Sequence, residues 1–199
     1  MNPDFEIRYY GRVDYIAVNG EGSLLDEKGN YKPQIEQLYE IYRKRIDNKT
    51  PALEAFWHPT NWKNNDVNPD DRNTNYSWKA VLKLPEENSY GLCDDAISYY
   101  HEQSAESTEA TNYSFEFFSV LEENMCSCRI NLKTTKVSES IRMMEAYLDN
   151  NSYSMEFTGM RMHHEIYIDG IGNDGSGEII LRIPVRRKSL YGNDLRFVL

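Results

Sequence analysis

The sequence predicts an α+β fold: a tandem, pseudo-twofold repeat of strand–helix–strand–strand modules with antiparallel sheets around a central cleft. Three observations predict it. Two stretches with one-sided apolar periodicity at helical spacing each sit between strand-like runs. The order strand, helix, strand, strand therefore occurs twice, although identity between the copies is poor. Leu53-Glu54-Ala55-Phe56-Trp57 and His164-Glu165-Ile166-Tyr167-Ile168 also occupy the same slot, each with a Glu and an aromatic two residues on. Side chains alternate along a strand, so each Glu shares a face with that aromatic.

Residues 5–20 read as a strand or a bent pair of strands around Tyr15-Ile16-Ala17-Val18, ended by the turn residues Asn19-Gly20-Glu21-Gly22. Pro33 opens a helix, where its missing N–H costs nothing. Ile35, Leu38, Tyr39, Tyr42 and Ile46 give that helix its apolar face, and Arg43, Lys44 and Arg45 suit its C-terminal dipole. Leu53 to His58 is a strand that Pro59 stops. A loop rich in Asn and Asp runs from Thr60 to Asn75, and Tyr76 to Leu84 is the next strand. An acidic connector follows, with a short helix capped by Asp94 or Asp95 and running to Ser104, then a loop to Asn112. Phe115 to Val120 and Met125 to Leu132 read as strands, joined as a hairpin about Glu122-Glu123-Asn124. Ser138 caps a second amphipathic helix with Ile141, Met144, Tyr147 and Leu148 inward. Met162–Ile168 and Glu178–Val185 are strands joined by the Gly-rich turn 169–177. We expect a single domain over 1–199, with module one at about 5–85, the connector at about 86–114 and module two at about 115–199.

Composition narrows the function classes. The chain is 199 residues long with 40% apolar residues, enough for a sizeable core. Its 15 Tyr, 7 Phe and 3 Trp suit either an aromatic core or an aromatic-lined cavity. The net charge is −10, and it is localised. Between Leu84 and Cys128 there are ten acids and no Lys or Arg, while acids and bases elsewhere balance at 22 each. Its basic runs are short, as at Arg186-Arg187-Lys188, so no direct nucleic-acid binding is expected. No apolar run reaches membrane-spanning length. Three cysteines and a start, Met1-Asn2-Pro3-Asp4-Phe5, without signal-peptide features predict a reducing cytoplasm.

The strand around Glu165 carries the chemistry. His163, Glu165 and Tyr167 point one way from it, and His164, Ile166 and Ile168 the other. In an apolar cleft desolvation would raise the Glu165 pKa, fitting it to act as a general acid on a bound flat molecule or as a base for water. Glu165 is therefore the candidate catalytic residue. Glu54 is the second carboxylate; sharing a cleft with Glu165, the two would split their titration into one acid and one base. Phe56, Trp57, Trp78 and Tyr167 are candidate walls for a flat or cationic guest, and His163 joins them as a ligand-binding candidate. Alternation places Phe56 and Tyr167 with the glutamates and Trp57 opposite. No metal or other cofactor is expected: the adjacent His163 and His164 diverge, and Cys126 and Cys128 suit a core strand. The Gly-rich stretch 170–177 lacks the Lys-Ser/Thr ending of a phosphate loop.

Four segments carry a family likeness: Tyr15-Ile16-Ala17-Val18-Asn19-Gly20-Glu21-Gly22, Leu53-Glu54-Ala55-Phe56-Trp57, Trp78-Lys79-Ala80-Val81-Leu82, and His163-His164-Glu165-Ile166-Tyr167-Ile168 with Leu181-Arg182-Ile183-Pro184-Val185. Through them the chain resembles the DNA gyrase inhibitor-like (GyrI-like) small-molecule-binding family over nearly its whole length. The resemblance implies two modules around a shared cleft that takes bulky, aromatic or cationic compounds, with Glu165 as its central glutamate and Trp57 and Tyr167 at aromatic positions. It also implies kinship with effector-binding parts of AraC- and MerR-type regulators, and with stand-alone hydrolases of cyclopropane-containing DNA-alkylating natural products. The chain departs from the family in its Asn/Asp-rich loop, its acidic connector and Lys133-Thr134-Thr135-Lys136, which replaces a Gly-Pro-Tyr-like turn. A hydrophobic or cationic small molecule is thus the expected partner. The competing reading is a non-enzymatic drug sensor that acts through a protein partner, a regulator or a topoisomerase-like target, docked on the acidic connector.

Overall fold

In the computed structural model, residues 4–59, 76–106, 113–121, 123–156, 163–172 and 176–188 are described. Strand β1 (Glu6–Tyr10) and strand β2 (Val13–Glu21) realise the bent pair. Helix α1 (Pro33–Arg45), β3 (Leu53–Pro59) and β4 (Tyr76–Lys83) follow. Next come α2 (Ser89–Glu106), β5 (Phe115–Val120), β6 (Glu123–Asn131) and α3 (Val137–Asn150). The chain continues through β7 (Tyr153–Met155), β8 (His163–Tyr167) and β9 (Glu178–Arg187). The class is α+β: three helices against a nine-stranded sheet whose named strands all pair antiparallel.

The strand order is β1-β6-β9-β8-β3-β4-β2-β5, with β7 on the far end of β9. Two short links dictate the shape of this sheet. Gly11 and Arg12 alone join β1 to β2, a span of at most about 11 Å. Six strand spacings separate those strands within the sheet, roughly 29 Å if it were flat. The same conflict holds between Val120, ending β5, and Glu123, opening β6. The sheet must therefore curl until its two edges approach. Ring contacts register the curl: Phe56 on β3 and Phe118 on β5 lie three strand spacings apart in the order β3-β4-β2-β5, yet their centroids are 5.2 Å apart. Tyr15, Ala17, Phe56, Val81, Val120 and Met125 fill the inner face.

The outer face carries the main core. Ile35, Leu38 and Ile41 of α1, Cys93 and Ala96 of α2, and Met144 and Leu148 of α3 all pack on it against Ile16, Ala55, Trp57, Leu82, Leu181 and their neighbours. Full burial of one such aliphatic side chain contributes about 1.5–3 kcal/mol. The α1 face follows the predicted spacing, with the chain turned so that Ile41 is buried and Tyr39 is half-buried. Among the described residues no helix is long and apolar enough to cross a membrane.

Four local expectations are corrected. The helix α2 begins at Ser89 rather than Asp94 and runs 18 residues. Ser89 donates to Asp14 at 2.6 Å, and Cys93, Ala96 and Tyr100 are buried, so tertiary packing extends a helix that capping signals place later. Strands β5 and β6 form no hairpin: β5 pairs with β2, while β6 pairs with β1 and β9. Alternation encodes a strand's buried face but not its partner. Lys136, not Ser138, stands at the N-cap of α3 and makes no side-chain cap bond. The short β7 carries no strong periodicity and escaped the sequence reading. The Asn/Asp-rich loop at 60–75 and the end of the connector at 107–112 lie outside the described residues.

Gly20 is required by its neighbour. It pairs with Trp78, and a Cβ on Gly20 would fall 2.2 Å from the indole ring. Trp78 is 1% exposed and has nowhere to withdraw. Gly20→Ala is expected to destabilise the fold by about 1–3 kcal/mol, as overpacking does. Urea unfolding followed by tryptophan fluorescence would show the lowered midpoint.

Candidate functional site

The pairing of β3 with β8 at the middle of the sheet places the candidate residues. Ala55 stands opposite Glu165, Trp57 opposite His163, and Phe56 opposite His164. Directly opposed residues share a face. Trp57, His163, Glu165 and Tyr167 therefore lie together on the helix-bearing side, and Glu54, Phe56 and His164 lie on the inner face.

This corrects the expected grouping. Glu54 does not share a site with Glu165, and Phe56 does not stand beside Tyr167; Trp57 does. Glu54 and Glu165 sit on opposite faces, because Glu165 pairs with Ala55 and Glu54 with Ile166. A one-residue shift exchanges faces.

On the outer side the polar groups form a chain. Tyr167 donates its hydroxyl proton to Glu165 Oε2 at 2.5 Å. His163 Nε2 lies 3.0 Å from Glu165 Oε1. Trp57 Nε1 donates to the Tyr167 oxygen at 3.3 Å. The imidazole of His163 lies near-parallel to the Trp57 ring, 16° between planes and 6.4 Å between centroids. All four residues are buried, with Glu165 at 0% exposure.

This chain ends at a cavity of about 370 Å³, within the usual range for ligand pockets. Trp57 and Tyr167 line it from the sheet. Ser23, Leu24 and Leu25 border it from the connection between β2 and α1. Leu132, Thr135, Lys136 and Val137 border it from the connection between β6 and α3, and Ile171 from the turn after β8. Glu165 and His163 do not line the cavity; Tyr167 stands between Glu165 and that space. Trp78 is not in the lining either, being held under Gly20. The rim residues carry no motif, which is why the sequence did not single them out. Their one signal was the departure at Lys133-Thr134-Thr135-Lys136 from a family-like turn.

The rim is tied together by Tyr31. Ile171 N donates to the Tyr31 hydroxyl at 3.2 Å, joining the connection before α1 to the turn after β8. Burial pushes the Tyr31 phenol above its ordinary pKa, so this link stays protonated.

The inner face holds a second polar cluster. His164 Nε2 lies 2.7 Å from Glu54 Oε2, and Tyr15 donates to the same oxygen at 3.0 Å. Phe56 stacks on His164 with centroids 4.2 Å apart. Burial pushes the Glu54 carboxyl upward. Hydrogen bonding and charge from His164, the Tyr15 hydroxyl and the Arg182 charge outweigh it, and the net pKa lies below the ordinary value. Arg182 itself lies over the Tyr10 ring, 4.3 Å from its centroid.

The cysteines belong to the helix-side core, where burial pushes Cys126 to about 11 and Cys93 and Cys128 to about 12. Among the described residues no group of three or more His, Cys, Asp or Glu is arranged to hold a metal ion.

No protein-family model matches the chain, and no curated protein matches it. Solved structures share its fold. An uncharacterized conserved protein from Listeria innocua matches 92% of each chain at a TM-score of 0.66 and 17% identity. A hydrolase from Listeria innocua matches 92% of this chain and 91% of its own, at a TM-score of 0.64 and 16% identity. EcmrR in a cryo-EM structure with DNA matches 95% of this chain and 59% of its own, at a TM-score of 0.52 and 10% identity. At such identities it is the fold that is shared.

Glu54→Ala is expected to cost about 3–5 kcal/mol, because it breaks the buried pair of Glu54 with His164. The acid dependence follows from the lowered Glu54 pKa. The unfolded value is near 4.3, so Glu54's contribution is complete above about pH 4.3 and is lost as pH falls through the folded value. Melting curves of wild type and Glu54→Gln, taken from about pH 6 to about pH 3, should therefore converge toward the acid end.

Proposed function

We propose that the chain is a small-molecule-binding protein of GyrI-like fold, a single domain in which two strand–helix–strand–strand modules repeat about the β3–β8 pair. The strand order supports the repeat, since β6-β9-β8 is followed by β3-β4-β2, in which β2, α1, β3 and β4 correspond to β6, α3, β8 and β9. The proposed ligand cleft is the cavity over Trp57 and Tyr167. Leu24, Leu25, Leu132 and Val137 favour a bulky hydrophobic or aromatic guest. Lys136, the only charged residue among the described lining residues, weighs against a cationic one.

The specific activity we propose is hydrolysis of a reactive cyclopropane compound. The observation that carries it is Tyr167, which lines the cavity and whose hydroxyl lies 2.5 Å from a carboxylate at 0% exposure. Water adds across the strained bond: its oxygen bonds to a ring carbon, the C–C bond breaks, and the freed electron pair moves to the conjugated acceptor. One water proton is taken up through Tyr167 by Glu165, which later releases it to solvent, and the acceptor takes its proton from solvent. The likeness of fold to a protein described as a hydrolase is compatible with this reading. The second reading is a binding-only sensor that acts through a protein partner, supported by the likeness of fold to EcmrR, which was seen in complex with DNA.

A synthetic spirocyclopropyl dienone tests both, because its ultraviolet absorbance changes when the ring opens to a phenol. Glu165→Gln is expected to lower turnover by about 10²–10⁴-fold and to keep affinity, followed by tryptophan fluorescence. Tyr167→Phe should lower turnover comparably. Equal rates in wild type and Glu165→Gln would remove Glu165 from the chemistry. Binding with no wild-type turnover would leave the sensor reading.

A further inference from the structure

We infer that His163 is a positioning residue: it donates from Nε2 to Glu165 and thereby fixes that carboxylate as the proton acceptor for Tyr167. The inference deepens the hydrolytic reading of the cavity and rests on it. His163 does not line the cavity and is 1% exposed, so the ligand-contact role expected of it from the sequence is replaced by one behind the wall.

Hydrogen-bond accounting selects the tautomer. His163 Nε2 faces Glu165 Oε1 at 3.0 Å, while Nδ1 is buried with no partner among the described residues. A proton on Nδ1 alone would point a lone pair at the carboxylate and also bury a bare N–H. A doubly protonated ring would bury a bare N–H that carries charge, which costs more still. A protonated Glu165 donating to Nε2 would again force the imidazole proton onto the unpartnered Nδ1. With the proton on Nε2 and an ionised carboxylate, every N–H in the pair has an acceptor and only a lone pair is bare.

The direction of proton flow follows. An ionised carboxylate accepts only, so Tyr167 must donate to Oε2. The phenol oxygen then accepts from Trp57 Nε1–H, and Tyr167 lines the cavity that would hold the attacking water. As that water attacks, its proton passes to the Tyr167 oxygen while the Tyr167 proton passes to Glu165. The residues facing Glu165 across the sheet, Ala55 on β3 and Leu181 on β9, carry no charge of their own. The near-parallel Trp57 ring limits rotation of the imidazole. Of the acid and base roles open to Glu165, this arrangement selects the base.

His163→Phe keeps a flat ring against Trp57 and removes the donor. With the spirocyclopropyl dienone, kcat is expected to fall about 10²-fold, the scale of a misplaced catalytic group, while KM stays within about twofold. His163→Gln, which restores an N–H donor, should recover at least about tenfold of the loss. Unchanged kcat in a folded His163→Phe, or a loss confined to KM, would overturn the inference. A spectroscopic measurement on the wild type is independent of turnover and of how the variants fold. Nitrogen-15 imidazole shifts should show His163 with a protonated Nε2 and a bare Nδ1 at neutral pH. An Nδ1–H or imidazolium pattern would overturn the inference. Absence of wild-type turnover beside the expected tautomer would instead reject the hydrolytic reading and, with it, the catalytic purpose given to His163.

Discussion

The register of β3 on β8 is the constraint on which the rest of this molecule depends. With Ala55 opposite Glu165, Trp57 falls beside His163 and Tyr167, and Glu54 falls on the far side of the sheet. Because strand side chains alternate, a slip of one residue would put Glu165 among the inner aromatics and Glu54 under the helices. The register is held from the inner side. Phe56 stacks on His164 directly across the pair, and His164 reaches back to Glu54 at 2.7 Å. Those contacts are buried, so breaking one partner leaves an uncompensated polar group rather than a hydrated one. The geometry of the outer site is thus secured by groups that take no part in it.

The curl does the complementary work. Links too short for a flat sheet draw its edges together, and the inner face fills with its own rings instead of helices. All three helices can then crowd one face, yet they leave the centre of that face open above β3 and β8. The result is a cavity with a rigid floor of two paired strands and a rim of three connections. Floors of this kind hold catalytic groups within tenths of an ångström, and rims are where sequence can vary at small structural cost. Trp57 and Tyr167 belong to the floor; Leu25, Thr135, Lys136 and Ile171 belong to the rim. On the proposed reading, reactive geometry and ligand choice are carried by different parts of the chain.

What the sequence made legible follows the same division. Periodicity located α1 and α3, and Pro33, Pro59 and the Gly-rich turn bounded their neighbours, because these are local signals. Alternation also put His163, Glu165 and Tyr167 on one face, as observed. It could not assign Phe56 and Trp57 between the faces, since that depends on which residue of β3 meets Glu165, a pairing fixed 110 residues away in sequence. The pairing of β5 with β2 was hidden for the same reason, as was the early start of α2, which rests on Asp14 and on packing rather than on a cap. The rim residues are ordinary Leu, Ser, Thr and Val, and only the fold brings them together. Trp78 looked like a ligand wall by type, but its place is set by Gly20, whose missing side chain gives the indole its room.

The two buried carboxylates are solved in opposite ways, and the difference shows which one is suited to chemistry. Glu54 is surrounded by His164, Tyr15 and the Arg182 charge, partners that stabilise its ionised form. Those partners come from β2, β8 and β9, so Glu54 ties four strands together. Glu165 has a donor on each oxygen from its own strand, His163 on one side and Tyr167 on the other. One of those donors opens onto a cavity. A carboxylate kept at full burial costs stability unless it is compensated, and here the compensation comes from two groups that also define a proton path. Replacing this arrangement by apolar side chains would keep or raise stability while removing the path. Its place in an otherwise apolar outer core, beside a cavity that Tyr167 lines, is the physical argument for the proposed reading that the site acts on what enters the cavity.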